Sequence, residues 1–291
     1  MNNKTPSILY FIINPGSGNQ QLNHEETIID FFRDTPYIIH TYRMSAKCSV
    51  SKIKQEIAQC SPDRVVAVGG DGTVKLAAEC LLGSDIPLAI VPTGSANGMA
   101  KELNLKNNLK AALRLSINGT PKAIHALLIN GELSVHLADI GINARIIKRF
   151  QSSNERGMLG YAKATWQALR RHKKMHVTIT ANGQTTSKKA EMVVIANGTS
   201  YGTGVKINRT GSLFDDKFEV IIVKWFSLLE LVKMWMGLKH PLNTFKTEVI
   251  QTDKIVLTIK ENTFFQVDGE YIGKVKQIEA TIIPKALYLI I

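Results

Sequence analysis

Along the first 120 residues, short continuous apolar runs alternate with stretches in which apolar positions recur every three or four residues. "SILYFII" leads into the turn "NPGSGN", and "EETIIDFFRD" then has helical spacing. "YIIHTY" reads as a strand and "SVSKIKQEIAQC" as a helix. "RVVAV" runs into "GGDGT", after which Val74, Ala77, Ala78, Leu81 and Leu82 share one helical face. "PLAIV" is a further apolar run, followed by "PTGSANGMAKEL" and the helix-like "NLKAALRLSI". Strands without polar alternation, separated by helices, predict a parallel sheet covered on both faces. Ligands of such sheets bind beyond the carboxyl ends of the strands, where all three glycine-bearing turns fall.

After about residue 120 the pattern changes. "AIHALLING", "SVHLADIG", "MHVTITANG", "KAEMVVIANG", "FEVIIV", "KIVLTI" and "TFFQVDG" are strand-like. Asn130-Gly131, Asn182-Gly183 and Asp268-Gly269 are hairpin signals. Helical spacing returns at about 157–172 and 227–238. The expectation is an α/β domain over 1–122 and a mainly antiparallel β domain over 123–285. The closing run, 286–291, is expected to return to the first domain.

At 291 residues the chain has room for two cores. Its net charge of +12 either points to acidic partners, such as a membrane surface, nucleic acid or phosphorylated small molecules, or serves solubility. Cys48, Cys60 and Cys80 form no Cys-x-x-Cys pair, so neither a disulfide framework nor a zinc site is expected, and a reducing compartment fits. The apolar run Ile8–Ile13 is too short for a signal-peptide core, and no stretch approaches the roughly 20 apolar residues of a spanning helix. A cytoplasmic protein able to touch a membrane is the expectation.

Three turns concentrate the chemistry. In Asn14-Pro15-Gly16-Ser17-Gly18 a tight loop brings amides close to a ligand, although an ordinary strand-to-helix turn also fits. Gly69-Gly70-Asp71-Gly72-Thr73 matches neither the Walker pattern nor G-x-G-x-x-G. An aspartate in a phosphate cradle makes sense if the ligand arrives with Mg²⁺, which binds between carboxylates and phosphates. The alternative is that Asp71 caps its helix. Pro92-Thr93-Gly94-Ser95-Ala96-Asn97-Gly98 again places small and polar residues at a strand end. Three such turns at one sheet edge describe a nucleotide site.

The ordered set "NPGSG", "GGDGT", "PTGSANGMAKEL", "ANGTSYGTGVKI", "SLFDDKFEVIIV" and "VDGE" resembles the diacylglycerol kinase catalytic-domain family, which includes bacterial lipid kinases and sphingosine and ceramide kinases. Gly-Gly-Asp-Gly alone is shared with NAD kinases and is similar to the phosphofructokinase pattern. The resemblance implies an ATP-dependent lipid kinase, with nucleotide between an α/β domain and a β-sandwich-like domain. It places Asn14, Thr41, Gly69–Thr73, Thr93 and Asn97 around ATP, with Asp71 near the Mg²⁺–phosphate group. Asp268 corresponds to the general base. Asp215, Glu270, the Lys217 carbonyl and position 212 correspond to a structural magnesium site. Here position 212 is Ser212, and Asp215-Asp216 stands where Asp-Gly is common, which weakens that metal site. Outside the resemblance, Asp268-Gly269 reads simply as a turn.

Arg145–Lys174 carries nine basic residues and one acid, interleaved with Phe150, Met158, Leu159, Tyr161 and Trp166. It fits either an anionic lipid surface or a solvated face over a core. Leu228, Leu229, Val232, Met234, Trp235 and Met236 are core or the border of a lipid cleft. His125 and His136 read as packed residues. The partners expected are ATP, a lipid and an anionic membrane, with a second copy of the chain as a further candidate; nucleic acid explains the charge but none of the turns. An NAD kinase-like enzyme and a catalytically silent lipid or nucleotide sensor are the competing readings.

Overall fold

A computed structural model describes residues 6–18, 23–45, 48–152, 174–201, 205–206, 211–225 and 247–291. The expected helices at 157–172 and 227–238, most of the basic stretch and the apolar positions Leu228–Met236 lie outside the described residues. The chain divides into two compact units, Met1–Ile124 with Lys285–Ile291, and His125–Pro284.

In the first unit, β1 (Ile8–Ile13) lies between β2 (Ile38–Arg43) and β3 (Arg64–Gly69), and β3 lies beside β4 (Leu88–Pro92). All four are parallel. Helices α1 (His24–Phe32), α2 (Val50–Cys60), α3 (Asp71–Leu81), α4 (Gly98–Glu102) and α5 (Leu109–Asn118) alternate with or follow them. The reason is visible in burial: β3 is buried from Val65 to Gly69 and β4 throughout, so neither face of the inner strands meets water. Leu9, Phe11, Val66 and Val68 join Ile28 and Phe32 of α1 and Leu113 of α5 in one cluster. The last residues of β16 (Glu270–Ile290) return to this sheet, with Leu289 opposite Leu88 of β4 in parallel. Because β1, β3 and β4 point the same way, their carboxyl ends deliver Asn14, Gly70 and Thr93 to one edge.

The second unit is antiparallel. It contains the greater part of β5 (Pro121–Ile129), then β6 (Glu132–Ser134), β7 (Leu137–Gly141), α6 (Ile142–Gln151), β8 (Met175–Ala181), β9 (Gln184–Ala190) and β10 (Met192–Ala196). The two-residue strands β11 (Ser200–Tyr201) and β12 (Val205–Lys206) pair with each other. They are followed by β13 (Phe218–Val223), β14 (Thr247–Thr252), β15 (Lys254–Val267) and the first part of β16. One layer runs β14-β13-β10-β7-β15, the other β9-β8-β15. The long β15 belongs to both: Ile255–Ile259 pair with β8 and Phe265–Val267 with β7. Its register against β16 breaks between Thr258 and Thr263, where it passes from one layer to the other. Side chains from both layers, including Ile179, Val193, Val220, Leu257 and Phe265, fill a common core, which makes the unit a β-sandwich.

The three Asn/Asp-Gly pairs turn hairpins as the sequence predicts. Asn130, Asn182 and Asp268 have φ of 50°, 51° and 48°, and the following glycines 86°, 73° and 87°. Two successive left-handed residues are the type I′ signature. Two features differ from the pattern reading. "KIVLTI" and "TFFQV" are one strand, and α6 starts at Ile142, directly after "LADIG". That sharp strand-to-helix passage uses Gly141 at φ +110°, where a Cβ would stand 2.4 Å from the Glu191 carbonyl oxygen.

Candidate active site

At the edge of the first unit's sheet, the three turns are interlocked. Asn14 N–H donates to the Val68 carbonyl (2.9 Å) and Thr93 N–H to the Gly69 carbonyl (3.0 Å), so each turn leaves its strand still tied to the neighbouring one. The Asn14 side chain accepts from Gly16 N–H at 3.0 Å, which folds the loop back on itself. Ser17 Oγ lies 2.8 Å from the Asn14 carbonyl and 2.7 Å from Thr93 Oγ1, linking the first turn to the third.

Glycine is needed where the turns touch. A Cβ on Gly18, at φ +74°, would stand 2.3 Å from the Thr93 carbonyl oxygen. One on Gly94 would stand 2.5 Å from the Cα of Gly70. The second and third turns thus meet backbone to backbone, a distance no side chain permits.

Asp71 does not cap its own helix. Gly70 is the N-cap of α3, with no side-chain bond there. Asp71 Oδ1 instead accepts from Met99 N–H (3.2 Å), in the first turn of α4. Only one carboxylate oxygen is so engaged, and the half-buried side chain leaves Oδ2 with no hydrogen-bond partner among the described residues. Asn97, left-handed at φ +49°, donates Nδ2 to the Gly94 carbonyl at 2.7 Å. Its Oδ1 and Thr73 Oγ1 are buried with no hydrogen-bond partner. The amides of Gly94, Ser95 and Ala96 likewise meet no acceptor among the described residues, and Ser95 is exposed. Unused amides, a spare carboxylate oxygen and orphaned polar oxygens around glycine are what a Mg²⁺-bound polyphosphate would satisfy. Thr41 is placed differently. It is exposed on β2, its hydroxyl donates to Glu25 Oε1 (2.9 Å), and no hydrogen bond joins it to the turns.

In the second unit, Asp268 is 7% exposed at the β15–β16 turn. Its Oδ1 accepts from Ser134 Oγ (3.0 Å), His136 N–H (3.1 Å) and Leu137 N–H (2.9 Å), and Oδ2 from Val135 N–H alone (2.9 Å). Oδ1 is saturated, while Oδ2 keeps one acceptor direction. Burial pushes this carboxyl above its usual 3.8, against the opposing pull of the three amides.

A second buried acid supports the same turn, and the pattern reading missed it. Asp139 of β7, 1% exposed, accepts from Asn143 Nδ2 (2.7 Å), Ala144 N–H (3.0 Å) and Gln266 Nε2 (2.5 Å). Gln266 Oε1 in turn accepts from Gly269 N–H at 2.8 Å. Asp139 thus holds Gln266, and Gln266 holds the residue after Asp268. The available signal was a lone acid inside the apolar run "LADIG", which has to find buried donors.

The residues that correspond to the structural magnesium site, Asp215, Ser212, Lys217 and Glu270, differ in their surroundings. Asp215 Oδ1 is buried without a hydrogen-bond partner and suits a cation. Ser212 Oγ accepts from Phe214 N–H (3.1 Å), Lys217 and Glu270 are exposed, and Asp216 lies 3.7 Å from His125 Nδ1. No group of three His, Cys, Asp or Glu suited to a metal occurs among the described residues. His125 and His136 are buried.

Residues 8–129 match the family model of the diacylglycerol kinase catalytic domain, and residues 137–291 that of the YegS C-terminal NAD kinase β-sandwich-like domain. The chain belongs to the diacylglycerol kinase/YegS family. A diacylglycerol kinase of Bacillus subtilis is 23% identical over 270 residues, covering 90% of this chain and 89% of that protein. An uncharacterized protein of Synechocystis is 27% identical over 255 residues, covering 83% of this chain but 58% of its own length. A crystal structure of a diacylglycerol kinase from Bacillus anthracis superposes with a TM-score of 0.70 at 18% identity, covering 99% of this chain and 98% of that one. Both units therefore have the fold of this lipid kinase family. No helix among the described residues is long and apolar enough to cross a membrane.

Proposed function

We propose that this protein transfers the γ-phosphate of ATP to the hydroxyl of a lipid, diacylglycerol or a related alcohol, at a membrane surface. The observation that supports it most is the interlocked set of three turns with Asp71 Oδ2 unengaged at its centre. Phosphoryl transfer asks the protein for positioning and charge compensation rather than covalent chemistry. The Gly94–Ala96 amides would receive phosphate oxygens, and Asp71 with Asn97 Oδ1 would hold Mg²⁺ directly or through its waters. When bound, Mg²⁺ neutralises phosphate charge.

Asp268 Oδ2 is the atom assigned to the acceptor. As the lipid oxygen forms its bond to the γ-phosphorus, the bond from that phosphorus to the bridging oxygen breaks. Its electron pair leaves with ADP, and the hydroxyl proton passes to Oδ2. The three donors on Oδ1 keep the carboxylate in place during this exchange. Asp215, with Ser212, the Lys217 carbonyl and Glu270, is the place to look for a structural magnesium, and no step above passes through it.

The test is incubation of the protein with labelled ATP and a total lipid extract, with the product identified by mass spectrometry. Label in a phosphorylated lipid is the expected result. Label in NAD and in no lipid would replace this reading with an NAD kinase-like one, which the shared Gly-Gly-Asp-Gly turn also accommodates.

A further inference from the structure

The β15–β16 hairpin carries a second feature beside the Asp268 turn. Phe264 and Lys274 are paired directly across it and so share a face. Between Phe265 and Gln266 the register shifts: Phe265 opposes Gly273 but Gln266 opposes Tyr271, which leaves Ile272 as an extra residue. Such a bulge returns Tyr271 to the face of Phe264, which regular alternation would deny it. The two rings lie 6.0 Å apart, tilted at 45°.

Helix α6 brings cations to the same rings. Lys148 Nζ is 5.4 Å from the Phe264 centroid and 5.2 Å from that of Tyr271, and the Arg145 guanidinium is 5.7 Å from Phe264. Lys274 Nζ lies 4.9 Å from Phe264. Three cations therefore converge on one ring. The end of α6 is tied to the catalytic turn by Gln151 Nε2, which donates to the Gly269 carbonyl at 3.4 Å.

Lys148 and Lys274 bring like charges to one ring, whose faces offset only part of their mutual repulsion. The cluster is at the surface: Lys148 and Lys274 are exposed and both rings half-buried. The bulged Ile272 is 39% exposed. Cationic heads, an amphipathic tyrosine beside a phenylalanine and one protruding apolar side chain match the headgroup layer of a bilayer, where phosphates meet the first methylenes. We propose that Lys148 and Lys274, mounted on Phe264 and Tyr271 beside Arg145, form a docking surface for an anionic membrane, with Ile272 entering the headgroup layer. The net charge of +12 has the sign this partner requires. The purpose of the surface, bringing the Asp268 turn to acceptor hydroxyls, rests on the lipid kinase reading, but the binding itself needs neither ATP nor acceptor.

The test is flotation of the full chain, without nucleotide, on vesicles of phosphatidylcholine alone or with phosphatidylglycerol. Binding is expected only to the phosphatidylglycerol vesicles and is reversed by salt. The double variant Lys148→Glu/Lys274→Glu should bind at least about tenfold more weakly. It should also lose transfer to vesicle-borne lipid while keeping transfer to the same lipid in detergent micelles. If the reversal prevents folding, Lys148→Gln/Lys274→Gln gives the same ordering with a smaller loss. Equal binding of wild type to both vesicles, or unchanged binding by the variants, overturns the docking surface. Charge-dependent docking without phosphorylation of any lipid would leave the surface standing and overturn the kinase reading instead.

Discussion

Asp71 and Asp268 are both acids beside glycine, and their surroundings differ in the way the two roles proposed for them require. Asp71 spends one oxygen on Met99 N–H and keeps the other. Asp71→Asn should therefore retain the bond to α4 and leave thermal stability near wild type. It should raise the KM for Mg–ATP by roughly tenfold or more, since it removes only the charge proposed to hold Mg²⁺. Asp71→Ala would confound the two effects. Asp268 accepts four hydrogen bonds, so Asp268→Ala strands buried donors and should destabilise the fold by on the order of 3 kcal/mol. Asp268→Asn is the cleaner variant: ATP binding persists, while transfer falls roughly 10²-fold or more. The pH dependence has a definite sign. With its carboxyl raised above 3.8 in the folded state, Asp268 contributes stability fully present below that value and lost as pH rises through the folded one. Over the same rise, the carboxylate proposed as the base loses its proton. Activity should thus climb with pH above 3.8 as the stability of wild type, relative to Asp268→Asn, declines; chemical melts and kcat/KM across pH check both. The positions of these acids are legible in the sequence. Their partners are not, because the donors to Asp268 come from residues more than 130 positions earlier.

The turns and strands show how far local pattern reaches. Continuous apolar runs identify β1, β3 and β4 because both of their faces are covered, and Asn/Asp-Gly pairs mark the hairpins because I′ turns demand left-handed residues. Helix α6 escapes that reading. Its buried positions, Ile142, Asn143, Ala144 and Ile146, include a polar residue that is useful only once Asp139 lies beside it. Likewise nothing local in "KIVLTIKENTFFQV" reveals one strand shared by two layers. The interlocking of the turns is also non-local, and it yields a prediction. Gly94→Ala would drive a methyl group into the Gly70 backbone, at a cost on the order of 2 kcal/mol, and should weaken ATP binding while leaving the β-sandwich unit intact. Nucleotide titration alongside the far-ultraviolet spectrum would register both. Gln266→Leu tests the Asp139 support. Transfer should drop with little change in the KM for ATP, and Gln266→Glu should not rescue it, because a second carboxylate would face Asp139. Wild-type kcat in Gln266→Leu would remove that support from the account.

For the whole molecule, membership of the diacylglycerol kinase/YegS family and the two-unit architecture follow from ordered motifs that span nearly the full chain. The sequence does not encode the acceptor in any comparable way. Diacylglycerol, a sphingoid base and phosphatidylglycerol all offer a primary hydroxyl near a membrane, and a carboxylate with one open acceptor direction serves each of them. The cationic surface beside the Asp268 turn is compatible with all three, as is the net charge of +12. The most direct measurement is therefore transfer from labelled ATP to a total lipid extract by wild type and Asp268→Asn side by side, with products identified by mass spectrometry. A phosphorylated lipid formed by wild type, and lost in a variant that still binds ATP, is the predicted result. No labelled lipid with wild type, or equal labelling by the two proteins, would contradict the account.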